Sequence, residues 1–169
     1  AIWVSAPLRA DLHAGSAQKA FVQNDFQKAG DELQRAIELQ PNNGFLADAM
    51  ARVYRLSGLD ELALEEFERS ARLQPGYPGA ARIAAGTALE LGQYGLASEW
   101  YERLVLDDPN GAESLAEAAK FYASIGRPDR SETLIDRFYA LDSTGRGGWS
   151  MVADAHEQLG RDSTALLIR

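Results

Sequence analysis

The chain contains no cysteine, which excludes disulfide staples and thiolate metal sites and leaves the redox compartment open. Histidine is scarce. His13 and His156 stand far apart in the sequence and give no metal-ligand spacing. No run approaches the ~18 consecutive apolar residues that a membrane-spanning helix needs, so direct membrane insertion is not expected. Basic residues are also in deficit, with 17 Lys and Arg against 25 Asp and Glu and a net charge of −8. That balance argues against nucleic acid and against a polybasic membrane-surface mode, both of which need clustered cations. No nucleophile elbow, phosphate loop or HExxH stretch occurs. Neither catalytic residues nor a metal site nor a cofactor is expected.

What the sequence does contain is a period. Its 169 residues, 46% of them apolar, carry several series spaced by 34. Pro41, Pro75 and Pro109 form one, and Pro7 falls on the same grid. Gly58, Gly92, Gly126 and Gly160 form a second, with Asn24 in the slot before them. Small residues form two more: Ala17, Ala51, Ala85, Ala119 and Ala153, then Ala29, Ala63, Ala97, Ser131 and Ala165. Each series has a physical reason. The Gly-or-Asn slot suits a left-handed residue that ends one helix and opens a tight turn. Proline stops a second helix by disfavouring helix at the residue before it. Small residues let paired helix axes approach closely. Between these slots, Tyr54, Phe67, Tyr101, Leu115, Tyr122, Ile135 and Phe138 recur at helical spacing.

These series resemble the tetratricopeptide repeat family over residues 10–169. Small residues at positions 8 and 20, an aromatic at 24 and proline at 32 read Ala51, Ala63, Phe67 and Pro75 in one unit. They read Ala85, Ala97, Tyr101 and Pro109 in the next. The family's tryptophan at position 4 survives only as Trp149. His13 stands there in the first unit, and Ser143 replaces proline in the fourth. The resemblance implies an all-α, right-handed α-solenoid of antiparallel helix pairs. Repeats are expected at 10–43, 44–77, 78–111 and 112–145, with a truncated fifth at 146–169 and residues 1–9 as the tail of a preceding repeat. Helices are expected near 10–23, 26–39, 44–57, 60–73, 78–91, 94–107, 112–125, 128–141 and 146–159. The apolar stretch Ala165-Leu166-Leu167-Ile168 reads as an uncovered end of a longer array, with end-to-end self-association as its consequence.

Most of the remaining features read as structure. Glu61, Glu65, Glu66, Glu68, Glu99, Glu102 and Glu132 read as a solvated convex face. The glycines at 145, 147 and 148 read as a linker between repeats, and both histidines as packing residues. Arg35, Arg69, Arg103 and Arg137 form a fifth 34-residue series. The first three are expected to pair along their helices with Asp31, Glu65 and Glu99.

In the family, first helices line a concave groove, and positions 2, 5, 9 and 12 share one stripe. That stripe places Phe21, Phe45, Asp48, Arg52, Arg55, Arg82 and Lys120 as candidate ligand-binding residues. An acidic protein thus turns four cations toward one groove, and an acidic peptide or protein segment is the expected partner. The family's lysine–asparagine clamp for chaperone tails is absent, because positions 5 and 9 hold Ala14 and Gln18, Asp48 and Arg52, Arg82 and Gly86, and Ala116 and Lys120. The function expected is therefore a non-catalytic protein–protein interaction scaffold. Two alternatives stay open: an architectural arm of a bacterial export assembly, such as a periplasmic exopolysaccharide-secretion scaffold, or an accessory arm of an enzyme whose catalytic domain lies elsewhere. Periplasm and cytoplasm are equally compatible.

Overall fold

A computed structural model describes residues 5–141, 147–161, 164, 165 and 167. The described elements are all helical: α1 (Ala6–Val22), α2 (Phe26–Leu39), α3 (Gly44–Leu56), α4 (Asp60–Leu73), α5 (Pro78–Glu90), α6 (Tyr94–Asp107), α7 (Ala112–Ser124), α8 (Pro128–Leu141) and α9 (Trp149–Gln158). They fall into two compact bodies, Ala1–Leu91 and Gly92–Arg169.

The turn slots behave as their chemistry demands. Asn24 has φ 59°, and Gly58, Gly92, Gly126 and Gly160 have φ between 70° and 74°, the left-handed conformation that costs other residues roughly 1–2 kcal/mol. Before each repeat proline, the helix-ending residue leaves the helical region. Gln40, Gln74 and Asp108 have ψ of 70°, 62° and 67°, as the following proline ring requires.

In the first body, α1 pairs with α2 and α3 with α4, while α2 packs on α3 and α4 on α5. The contacts are made through small residues. Ala29, Ala51, Ala63 and Ala85 are fully buried and Ala17 nearly so. Ala17, Ala20, Leu33, Ala36, Ile37, Leu46, Met50 and Val53 form one apolar cluster that joins the first two hairpins. The second body repeats the scheme, with α7 against α6, α8 and α9. There Ser131 is buried, and its hydroxyl donates to the Ala119 carbonyl at 2.9 Å.

The helices match the expected ones at seven places almost to the residue, and the two ends differ. α1 starts at Ala6 with Pro7 in its first turn, so Pro7 opens a helix where it was expected to close one. Proline is tolerated there because a first-turn N–H has no intrahelical partner. α9 starts at Trp149, behind Gly148 at φ 83°. Residues 1–4 and 142–146 lie outside the described residues, as does most of the 162–169 segment. Ala165 is buried and Leu167 exposed.

The arginine series is not a row of surface pairs with residues four positions earlier. Arg35 and Arg69 pair with Glu32 and Glu66, one turn back, and Arg103 pairs forward with Asp107. Arg69 also donates from Nη2 to the Pro41 carbonyl at 2.6 Å, and Arg137 makes the same contact with the Pro109 carbonyl at 2.8 Å. Both links reach back 28 residues, from the second helix of one repeat to the loop that ends the previous one. A guanidinium thus satisfies a carbonyl that the proline loop leaves without a helical partner.

Of the acidic second-helix residues, Glu61, Glu65 and Glu99 are exposed as expected, and Glu66, Glu68, Glu102 and Glu132 are half-buried. Glu102 accepts from the Tyr122 hydroxyl (2.8 Å) and from Arg130 Nε (2.9 Å), and the Arg130 guanidinium lies 5.9 Å from the Tyr122 ring centroid. This network ties α6, α7 and α8 together. His13 bonds Glu32 at 2.6 Å between α1 and α2. His156, only 3% exposed, meets the Tyr139 hydroxyl through Nε2 at 3.0 Å. Both histidines therefore sit at helix contacts.

Candidate ligand-binding face

The candidate residues lie on the first helix of each hairpin. In the first body, α1, α3 and α5 supply them. Between α1 and α3 lies a cavity of about 260 Å³, lined by Ala14, Gln18, Phe21, Leu33, Phe45, Ala49 and Arg52 among others. Its floor is the apolar cluster of the first two hairpins. Phe21 is half-buried and lies edge-to-face on Phe26, centroids 5.8 Å apart. Phe45 stands out, 68% exposed, with its ring 6.3 Å from that of Tyr77 at the start of α5. The only polar side chains in the lining are those of Gln18 and Arg52.

The cations do not converge without counter-charge. Arg52 Nε donates to Asp48 at 2.7 Å on the same helix, and that bond raises the arginine pKa above its ordinary value. Arg55 Nη2 lies 2.9 Å from both oxygens of Glu90 on α5. Arg82 is half-buried on α5. Lys120 belongs to the second body, where its ammonium donates to Asp154 at 2.8 Å. The structure therefore brings Phe21, Phe45 and Arg52 together around one cavity, with Asp48 bonded to Arg52, and sets Arg55 beside Glu90 on the same body. Sequence reasoning missed Glu90 and Asp154 as partners. A signal existed for Asp154, which occupies the slot of Lys120 one repeat later, and equal slots of adjacent repeats are neighbours. It also missed the cavity walls Leu33 and Ala49, whereas Ala14 already lay on the stripe. Among the described residues, no three His, Cys, Asp or Glu side chains gather as a metal site would need, and no helix is long and apolar enough to cross a membrane.

No family model matches the chain. Solved structures do. MamA from Desulfovibrio magneticus RS-1 superposes with a TM-score of 0.73 at 17% identity, covering 95% of this chain and 90% of that one. YrrB, a tetratricopeptide protein with an unusual peptide-binding site, gives 0.69 at 17% identity, over 92% and 80% of the two chains. The first tetratricopeptide domain of Spaghetti (RPAP3), bound to the HSP90 peptide SRMEEVD, gives 0.61 at 21%, over 70% and 94%. The chain has the tetratricopeptide-repeat fold.

Among curated proteins, cellulose synthase operon protein C of Pseudomonas fluorescens (strain SBW25) is 29% identical over 123 residues, or 71% of this chain. The chain spans only 9% of that relative's length.

Proposed function

We propose that this tetratricopeptide array is a non-catalytic interaction scaffold that receives a segment of a partner protein on the face formed by α1, α3 and α5. One observation carries the reading. An apolar cavity opens on the inner helices beside an exposed Phe45–Tyr77 ring pair, and soluble monomers seldom leave such a surface without use. YrrB and the RPAP3 domain, with the same fold, bind peptides, which supports the same mode here. The acidic character first expected of the partner draws less support, because Arg52 and Arg55 already face Asp48 and Glu90. The repeat boundaries expected from the 34-residue period are retained as the module boundaries of this scaffold.

A photo-crosslinking residue placed at Phe45, and separately at outer-helix Glu61, tests the reading in the full-length protein within its producing cell. Capture of one defined partner from position 45 and not from 61 is expected. Capture from 61 alone would place recognition on the outer helices and refute the proposal.

A second reading follows from the similarity to cellulose synthase operon protein C: an architectural arm of an exopolysaccharide export assembly. Removing residues 10–145 from the full-length protein would then abolish polymer export, and unimpaired export would end that reading. Self-association through the 165–168 segment, expected from the sequence, is read by sedimentation velocity, where a concentration-independent monomer would dismiss it.

A further inference from the structure

The cavity between α1 and α3 marks a place where the repeat breaks its own rule. Shifting its lining by 34 residues gives the corresponding place between α3 and α5, in the same body. There Ala14 becomes Asp48, Leu33 becomes Phe67 and Ala49 becomes Ile83. Phe67 is 1% exposed, a larger side chain than the Leu33 that holds the same slot one repeat earlier. Phe45 becomes Gly79, over whose Cα the Tyr77 ring lies so close that an added Cβ would meet it at 2.9 Å. At positions 14, 33, 49 and 45 the first interval thus carries alanine, leucine, alanine and a projecting aromatic where the second carries aspartate, phenylalanine, isoleucine and glycine. Leu46 and Arg52, by contrast, give way to the smaller Ala80 and Gly86.

The dimensions and charge of this space say what fits. At about 260 Å³ it falls below the ~300–1,000 Å³ of small-molecule sites and suits one large side chain. Its wall is apolar apart from Gln18 and Arg52. Arg52 is neutralised by Asp48, with the side chain still 52% exposed, so the mouth offers donors to a peptide carbonyl without demanding a counter-charge. Alanines at 14 and 49 leave room, and the Phe21 and Phe45 rings stand ready to grip an apolar group from two sides.

We infer that the α1–α3 cavity is an anchor pocket for a single leucine or phenylalanine side chain on a partner segment, with specificity set by size at residues 14, 33 and 49. This rests on the scaffold reading above and makes it chemically specific. The occupant is a protein segment whose anchor is apolar and whose flanks need no acidic residue.

The test uses short glycine–serine peptides with one central leucine, phenylalanine, glutamate or lysine, titrated into isotope-labelled protein at millimolar concentration. Amide shifts are followed by NMR. The leucine and phenylalanine peptides should move the amides of Ala14, Ala49 and Val53. The variant Ala49→Ile with Leu33→Phe, which imports the residues of the next interval, should weaken that binding at least roughly tenfold. Ala14→Asp, importing Asp48 at the mouth, should do the same and covers the case in which the double variant fails to fold. Unchanged leucine-peptide binding in the filled variants would overturn the inference. So would a glutamate peptide that moves Arg52 and Arg55 most, though that outcome leaves the scaffold reading standing. If no peptide moves the inner face while crosslinking from position 45 still captures a partner, the anchor pocket falls alone. If both fail, the scaffold reading falls with it.

Discussion

Replacing Arg69 by methionine isolates the link between consecutive repeats. Methionine keeps the unbranched aliphatic stem and its helix propensity, so the change removes the guanidinium and little else. Two interactions go. The pair with Glu66 spans 3.2 Å with side chains 31% and 23% exposed, and such partly screened pairs contribute ~0–1 kcal/mol. The bond from Nη2 to the Pro41 carbonyl is short, 2.6 Å, and hydrogen bonds with one charged partner contribute ~1.5–3 kcal/mol when buried. Solvent reaches this one, so its lower end applies, and the sum is ~1.5–2.5 kcal/mol. Arg35 is the internal control, since its pair with Glu32 is the contact it makes from a side chain 59% exposed. Arg35→Met should therefore cost only ~0–1 kcal/mol. Urea unfolding followed by circular dichroism reads both. Arg69→Met should lower the midpoint clearly more than Arg35→Met, with the slope of the transition unchanged. Equal losses would show that the carbonyl contact contributes nothing, and that the arginine series is retained only for its surface charge pairs.

Three further outcomes are expected. Ala51→Leu forces extra methylenes between α3 and α4, where Ala51 and Ala63 are fully buried, and should cost ~1–3 kcal/mol by overpacking; an unchanged urea midpoint would mean the axes yield freely. Asn24→Val places a β-branched residue at φ 59° and should cost ~1–2 kcal/mol, whereas Asn24→Gly should be near neutral in the same assay. Acid should weaken the fold in two windows. Burial, then the Arg161 charge, holds the His156 pKa below 6.5, so the unfolded chain takes up this proton first and stability declines as pH falls below about 6.5. Hydrogen bonding to His13 lowers the Glu32 pKa beneath 4.5, and its contribution, present above that value, is lost as pH falls further. His156→Phe should flatten the first window in stability measured against pH and spare the second; a pH profile unchanged by the substitution would reject this assignment.

The helices were legible because each periodic slot encodes a demand of the backbone. A left-handed turn needs Asn24 or glycine, a pre-proline residue must leave the helix, and close axes need alanine. These demands are local and survive divergence of everything else. The charges were misread for the opposite reason. Arg55 finds Glu90 and Lys120 finds Asp154 across one repeat, so the stripe of one helix shows only half of each pair. The ends departed from the grid for local reasons, since Pro7 fits a first turn as readily as it breaks a last one. The cavity was invisible because no motif announces it. It arises from a difference between repeats, alanine or leucine where the next copy holds aspartate, phenylalanine or isoleucine, and a search for similarity passes over differences.

The stitch from Arg69 to Pro41 and from Arg137 to Pro109 also bears on how such a gene can lengthen or shorten. At two joins the earlier 34-residue unit supplies an acceptor in its closing loop, Pro41 or Pro109, and the later one a donor on its second helix, Arg69 or Arg137. Duplicating or excising a whole 34-residue unit keeps the 28-residue reach of such a link. An insertion of any other length orphans a guanidinium and a carbonyl at the join. At these two joins the frame of recombination is thus written into a single side chain, and a change of length in whole 34-residue steps preserves it.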